Sequence, residues 1–190
     1  MDLYHIALFL HIVAVIVASG ATTITKLAAG RLARAHTVGE VLEWHNILMS
    51  ASKAFPIVLA VFVVTGSYML SKGQASVWSS GFVVAGLVGV VLLFASGTYL
   101  GIKGKGLGAV LEQIAAKGTD LPAPRLVPPP LVAALPLVNT GIALSVVFDM
   151  VTKPASVVTA LAIVGFGIAL TSLLGMRKPM PAAKPVTAAQ

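Results

Sequence analysis

The sequence predicts an all-α integral membrane protein, a single bundle of five transmembrane helices with its N-terminus outside and its C-terminus in the cytoplasm. Of the 190 residues 57% are hydrophobic and 10% are charged, and the mean hydropathy is +0.97. One soluble core cannot hide so much apolar surface, whereas a bilayer requires long uncharged runs. The net charge of +7 lies between these runs, which is typical of membrane-edge residues and excludes nucleic-acid binding.

The first apolar run, residues 3–25, predicts a helix that crosses the whole bilayer. A helix of about 23 residues is roughly 34 Å long, which exceeds a hydrocarbon core of about 30 Å. The only charge ahead of it is Asp2, and the first cation is Lys26. A secretory signal carries its positive charge before a shorter apolar stretch, so we expect a permanent span.

The second helix is predicted to begin well before its apolar stretch, residues 54–70. Thr37 and Glu40 have the spacing of a capping box, which starts a helix at residue 38. A helix over residues 38–70 would be about 50 Å long, too long for the bilayer. We therefore expect it to project from the membrane or to bend at Pro56.

The third predicted span covers residues 77–102 and is rich in glycine. Gly97 and Gly101 form a G-x-x-x-G pair, a spacing that permits close approach of another helix. After it, apolar residues spaced by three and four predict a separate amphipathic helix over residues 106–117 that lies at the membrane interface.

The last two spans are predicted over residues 131–150 and 155–176, as a tight helical hairpin. Asp149 and Lys153 stand four residues apart at its turn, a spacing that favours an ion pair. These spans complete one transmembrane domain over residues 1–176. The remaining tail, residues 177–190, is rich in Ala, Pro and Lys and is expected to be disordered.

The distribution of cations predicts the orientation. If the loop after the first helix is cytoplasmic, eleven Lys and Arg residues lie inside and only Lys72 and Lys153 lie outside. This asymmetry follows the positive-inside rule and indicates a multi-pass protein of the bacterial inner membrane. The cations on the cytoplasmic side are Lys26, Arg31, Arg34, Lys53, Lys103, Lys105, Lys117, Arg125, Arg177, Lys178 and Lys184.

His11 is the residue within the apolar zone whose chemistry best suits a cofactor. An ionisable side chain at membrane depth is costly and points to a function, here ligation of a metal ion or of haem b. The alternative is a neutral ring that donates a hydrogen bond to a neighbouring helix. His5 lies about 9 Å and 120° away on the same helix, so the two do not form a joint metal site.

His45 is a second candidate cofactor ligand, in a polar stretch that leads into the second span. With Trp44 it can anchor the helix at the interface, or it can take part in binding a quinone, a porphyrin or a metal. Counting from Leu70, His45 lies about 37 Å from the outer membrane edge, too far from His11 to share one haem iron. A single-histidine site is therefore the arrangement that one copy of the chain allows.

Several function classes lack the residues that they require. The chain has no cysteine, which excludes disulfides, thiolate zinc sites, iron–sulfur clusters and c-type haem attachment. No span carries a chain of acidic residues or a row of cations, which disfavours proton pumps, voltage sensors and ion-coupled transporters. Motifs of self-contained hydrolases are absent as well.

Four short motifs follow one another within residues 3–71: Leu10-His11-Ile12, Ser19-Gly20, Phe55-Pro56 and Thr65-Gly66. Their order resembles a group of small bacterial membrane proteins that includes the CopD-like copper-resistance domain, the HemJ-type protoporphyrinogen oxidase and uncharacterised integral membrane families. In that group the first helix begins with a Leu-His dipeptide near the outer face. The resemblance implies that His11 is a haem or metal ligand.

Two function classes remain open from the sequence. In the first, His11 ligates haem b or a metal in a redox-linked membrane protein, with the site completed by a partner or a second copy. In the second, the chain is a non-catalytic subunit that packs within a larger respiratory or transport complex. The expected partners are the lipid bilayer and either a second copy or another membrane protein.

Overall fold

The computed structural model describes residues 2–72, 78–124 and 128–176, and these residues form six α-helices and no β-strand. Five segments are long and apolar enough to cross a membrane, with α2 and α3 together counted as one. The all-α prediction of five spans is confirmed. The predicted tail, residues 177–190, lies outside the described residues. The helices are α1 (Leu3–Leu32), α2 (Val38–Ser52), α3 (Ala54–Ser71), α4 (Gly81–Ala115), α5 (Pro130–Thr152) and α6 (Val157–Met176).

The long second helix predicted from the sequence is divided at Lys53 into α2 and α3. Pro56 is the third residue of α3, and a proline ring clashes with the carbonyl four residues earlier, here that of Ser52. The break therefore lies one turn before the proline at which we expected a bend. The 18 residues of α3 span about 27 Å, close to the thickness of the hydrocarbon core.

Helix α4 continues without a break through its glycine-rich part. The residues predicted as a separate interfacial helix, 106–117, instead extend α4 as far as Ala115. The glycines at 104 and 108 have low helix propensity, but α2 packs against this part of α4 and favours the helical backbone. Its 35 residues measure about 52 Å, so α4 extends well beyond one side of a bilayer.

The molecule therefore has two zones with different surroundings. We call the first the membrane zone: residues 3–25, 54–71 and 81–102 with helices α5 and α6. We call the second the head: residues 26–52 and 103–124, at one end of the bundle. Within the described residues most charged side chains belong to the head, which indicates that the head lies in water or among lipid headgroups.

In the head, the first residues of α2 are hydrogen-bonded to the loop after α4. The backbone N–H of Val38 donates to the carbonyl of Leu121 at 2.9 Å, and that of Gly39 to Thr119 at 2.9 Å. The Thr37 hydroxyl accepts from the N–H of Glu40 at 3.3 Å. The predicted start of α2 is confirmed, and the first donors of the helix are satisfied by these three acceptors.

The membrane zone consists of two groups of helices. Helix α1 packs along α3, and α4, α5 and α6 pack together, while α3 touches α4 only slightly. We call these groups the α1–α3 pair and the α4–α5–α6 triplet. In the head α2 packs on both α1 and α4 and so connects the two groups.

Small residues form the closest helix crossings of the membrane zone. A Cβ atom at Gly141 of α5 would lie 2.5 Å from the carbonyl oxygen of Gly167 on α6, so only glycine fits there. At Gly97 and Gly101, by contrast, a Cβ would meet no described atom within 4 Å. The predicted G-x-x-x-G pair therefore makes no close crossing within one copy of the chain.

Candidate functional site

His11 lies on the third turn of α1 and faces α3. Its Nδ1 atom is 2.8 Å from the hydroxyl oxygen of Thr65. Its ring packs against Phe62, with centroids 5.0 Å apart and planes inclined by 57°. Gly66 completes the contact, since a Cβ there would be 3.8 Å from Cε1 of His11. We call Phe62, Thr65 and Gly66 the imidazole seat.

The hydrogen bonds of Thr65 fix which ring nitrogen of His11 carries the proton. The Thr65 hydroxyl also lies 2.6 Å from the carbonyl oxygen of Val61, one turn earlier in α3, and donates to it. A hydroxyl has one hydrogen, so its oxygen accepts the proton of Nδ1 from His11. In a neutral ring this network leaves the lone pair on Nε2, and that is the form in which imidazole ligates metals.

No described residue forms a hydrogen bond with Nε2 of His11. The ring is only partly buried, whereas Thr65 behind it is buried. A ligand that approaches the α1–α3 pair from the side can therefore reach this nitrogen.

His11 supplies one ligand, and the described part of the chain groups no pair of further His, Cys, Asp or Glu side chains with it. Within the described residues no three His, Cys, Asp or Glu side chains are grouped closely enough to hold a metal. Asn139 of α5 and Met69 of α3 are weaker candidates for a second ligand at similar depth. Asn139 is engaged, because its side-chain oxygen accepts from Ser96 at 2.8 Å. Met69 lines a cleft at the end of the pair with Asp2, Tyr4 and Lys72, and His11 does not line it.

The face that His11 occupies on α1 has a signal in the sequence. The buried residues of this helix are Ala7, Ala14, Ala21 and Ala28, a repeat of seven. His11 is four residues after Ala7 and three before Ala14, so it shares their face. This spacing predicts an imidazole that points at another helix, although it does not identify that helix.

His45 belongs to the core of the head. Val38, Val41 and His45 share one face of α2 and are all buried, and His45 is only 4% exposed. Its Nε2 lies 2.9 Å from the position that a Cβ would take at Gly108 of α4, so the ring occupies the space that this glycine leaves. The ring faces protein, whereas the ring of an interface anchor would face lipid.

The structure does not bring His11 and His45 together. His11 contacts α3 in the membrane zone, and His45 contacts α4 in the head. His5, near the start of α1, packs edge-on against Tyr4 with centroids 6.0 Å apart. His11 is therefore the histidine whose ring is both placed by a neighbouring helix and open on its other side.

Asp149 is buried, and the ion pair that the sequence predicted for it is not formed. We expected an ion pair with Lys153, but the Asp149 side chain is 0% exposed and its two oxygens have no hydrogen-bond partner among the described residues. Lys153 is exposed and ends α5 in the left-handed conformation, with φ of 47°. Because the helix ends there, the two side chains do not share a helical face.

The sequence matches no protein-family model, and no curated protein or solved structure shows a significant similarity to it. The likeness to CopD-like and HemJ-type proteins therefore stays a prediction from four short motifs.

Proposed function

We propose that this membrane protein binds haem b or a metal ion through Nε2 of His11, in a redox-linked role. The observation that carries the proposal is the hydrogen bond from Nδ1 of His11 to Thr65, which in a neutral ring leaves the lone pair on Nε2. Ligating histidines commonly donate their other ring N–H in this way, which fixes both the tautomer and the orientation of the ring.

The surroundings of the ring support ligation more than a purely structural contact. An imidazole nitrogen without a partner at membrane depth is costly, because hydrocarbon offers it no hydrogen bond. Coordination by Nε2 would remove that cost. The ring is held by Phe62 and Gly66 on one side and by Thr65 behind it. It therefore loses little rotational freedom when Nε2 binds a metal or haem.

One histidine from the chain is compatible with two kinds of haem site. An iron with a single proximal histidine keeps an open position, and a bis-histidine iron would take its second ligand from a partner or a second copy. In either case haem supplies one-electron chemistry, and this chain supplies the axial imidazole and its orientation by Thr65.

Addition of haemin to the purified full-length protein in detergent tests the proposal. We expect wild type to shift the Soret band of haemin, His11→Ala to abolish this shift, and Thr65→Val to weaken binding by about 10- to 100-fold. His5→Ala is the matched control, because it removes an imidazole from the same helix outside the seat. Titrations of the same variants with Zn²⁺ and Cu²⁺ test whether His11 binds a metal ion.

The proposal fails if neither haemin nor these metal ions distinguish wild type from His11→Ala while both proteins are folded by circular dichroism. The bond to Thr65 would then serve only to hold α1 on α3.

A second candidate function is that of a packing subunit in a larger respiratory or transport complex. The observation that favours it is the face of α4 around Gly97 and Gly101. This spacing permits close approach of another helix, and no described atom occupies the space beside either glycine. Gly97→Leu would then release a partner during purification of the native complex, and Gly106→Leu, at another open glycine of α4, would not.

A further inference from the structure

Asp149 differs from every other acidic residue of the chain. Asp2, Glu40, Glu43, Glu112 and Asp120 are exposed, whereas Asp149 is fully buried. Its two carboxyl oxygens have no hydrogen-bond partner among the described residues. It lies in the last turn of α5, within the α4–α5–α6 triplet and far from the imidazole seat of the α1–α3 pair.

The segments of α4 and α6 that pack on this end of α5 carry no cationic side chain. One turn earlier on α5, Val146 packs on the apolar cluster of Ala85, Ala160 and Val164. Residues 81–98 of α4 and all of α6 contain no titratable side chain, and neither does the turn 154–156. Lys153 is exposed at the helix end. The C-terminal end of α5 adds the negative pole of its dipole, whereas α4 and α6 begin at the same end with their positive poles, so the dipoles alone do not decide the charge of Asp149.

The end of the triplet near Asp149 is closed by a tight contact. The N–H of Gly81 donates to the carbonyl of Ala155 at 3.2 Å. A Cβ at Gly81 would collide with the carbonyl oxygens of Pro154 and Ser156, so the turn after α5 is pressed directly on the start of α4.

We propose that Asp149 is a proton-binding site. In the packed triplet it is the neutral acid, and when the contact between Gly81 and the turn opens, water enters and the carboxylic acid releases one proton to become carboxylate. A buried ionisable group without a partner takes up its neutral form in this way. This site is independent of the proposed role of His11.

The geometry favours a proton over a metal cation as the ligand. Na⁺ or Ca²⁺ requires about six oxygen ligands, and Asp149 contributes two. The nearby carbonyl of Ala155 already accepts the N–H of Gly81. A proton needs only the carboxyl group itself.

Infrared spectroscopy of the full-length protein in a detergent without ester or acid groups tests this assignment directly. The other five acids are exposed, whereas Asp149 is buried without a hydrogen-bond partner among the described residues, so we assign the carbonyl band of a protonated carboxylic acid to Asp149. We expect wild type to show this band, Asp149→Asn to lose it, and the control Asp120→Asn to keep it. Asp149→Glu, which retains an acid, should show the band at a shifted frequency.

Two results would overturn the proposal: a folded wild type without the band at neutral pH, or a band that persists in Asp149→Asn. Loss of the wild-type band on addition of NaCl, with no change on KCl, would show that Na⁺ displaces the proton and would overturn the preference for a proton over a metal cation. As the pH is raised, the Gly81→Ala variant should lose the band at a lower pH than wild type, because the substitution opens the contact to water. If Asp149→Asn does not fold, Asp149→Glu and Gly81→Ala still decide the outcome.

Discussion

The head and the membrane zone bury different kinds of residues. In the head the buried side chains include Val38, Val41 and Leu111, all at most 1% exposed. In the membrane zone the buried positions are mostly alanine and glycine, while large side chains such as Phe166 and Val64 are about two-thirds exposed, at 68% and 67%.

The difference reflects the two solvents. Water drives large apolar side chains into a core, and the burial of Leu111 gains that free energy in the head. Lipid tails are as apolar as a protein core, so burial of a large side chain in the membrane zone gains little. There the helices associate through close backbone approach at small residues, which strengthens dispersion contacts.

Removal of a large side chain should therefore destabilise the head far more than the membrane zone. We expect Leu111→Ala to cost about 2–5 kcal/mol, as is usual for a cavity in a water-excluded core. Leu87→Ala is the matched variant in the membrane zone, where Leu87 is 52% exposed, and it should change stability by less than about 0.5 kcal/mol. Thermal unfolding in one detergent measures both, and equal losses would contradict the comparison.

Addition of one methyl group should instead destabilise the membrane zone, at the positions where helices cross closely. In Gly141→Ala the new Cβ would meet the carbonyl of Gly167 at 2.5 Å, and overpacking of this kind costs about 1–3 kcal/mol. Gly165→Ala adds the same methyl group on α6 where no described atom lies within 4 Å. The thermal midpoint should fall for the first variant and not for the second; a midpoint unchanged by Gly141→Ala would rule out this close crossing.

Two glycines of α4 in the head give a smaller and finer test. Gly106→Ala meets open space and should stabilise the helix by about 0.5–1 kcal/mol through propensity alone. In Gly108→Ala the new Cβ would lie 2.9 Å from Nε2 of His45, and displacement of the buried ring should cancel that gain. A chemical-denaturation midpoint that rises equally in both variants would show that His45 does not occupy this space.

The sequence predicted the site less completely than the spans. His11 could be selected because an imidazole interrupts an apolar run, and the alanine repeat of α1 indicates that it faces another helix. Its partner Thr65 could not be chosen over the other hydroxyls of the spans, since most of them, like Ser19, bond to their own helix and look alike in sequence. Asp149 was misjudged because the spacing to Lys153 is helical, but the helix ends before that spacing takes effect.

The number and order of the spans were determined by the sequence itself, because hydropathy and capping are local properties that each segment carries alone. The capping box at Thr37 placed the start of α2 for the same reason. Which face of each span meets another helix was decided only by the tertiary structure. In the membrane zone the helices are apolar on all sides, and a neighbouring helix and lipid are nearly equivalent environments, so periodicity does not distinguish them. The choice of Gly141 over Gly97 as a crossing point, the seat of His11 on Thr65 and the burial of Asp149 all follow from how the helices fit together.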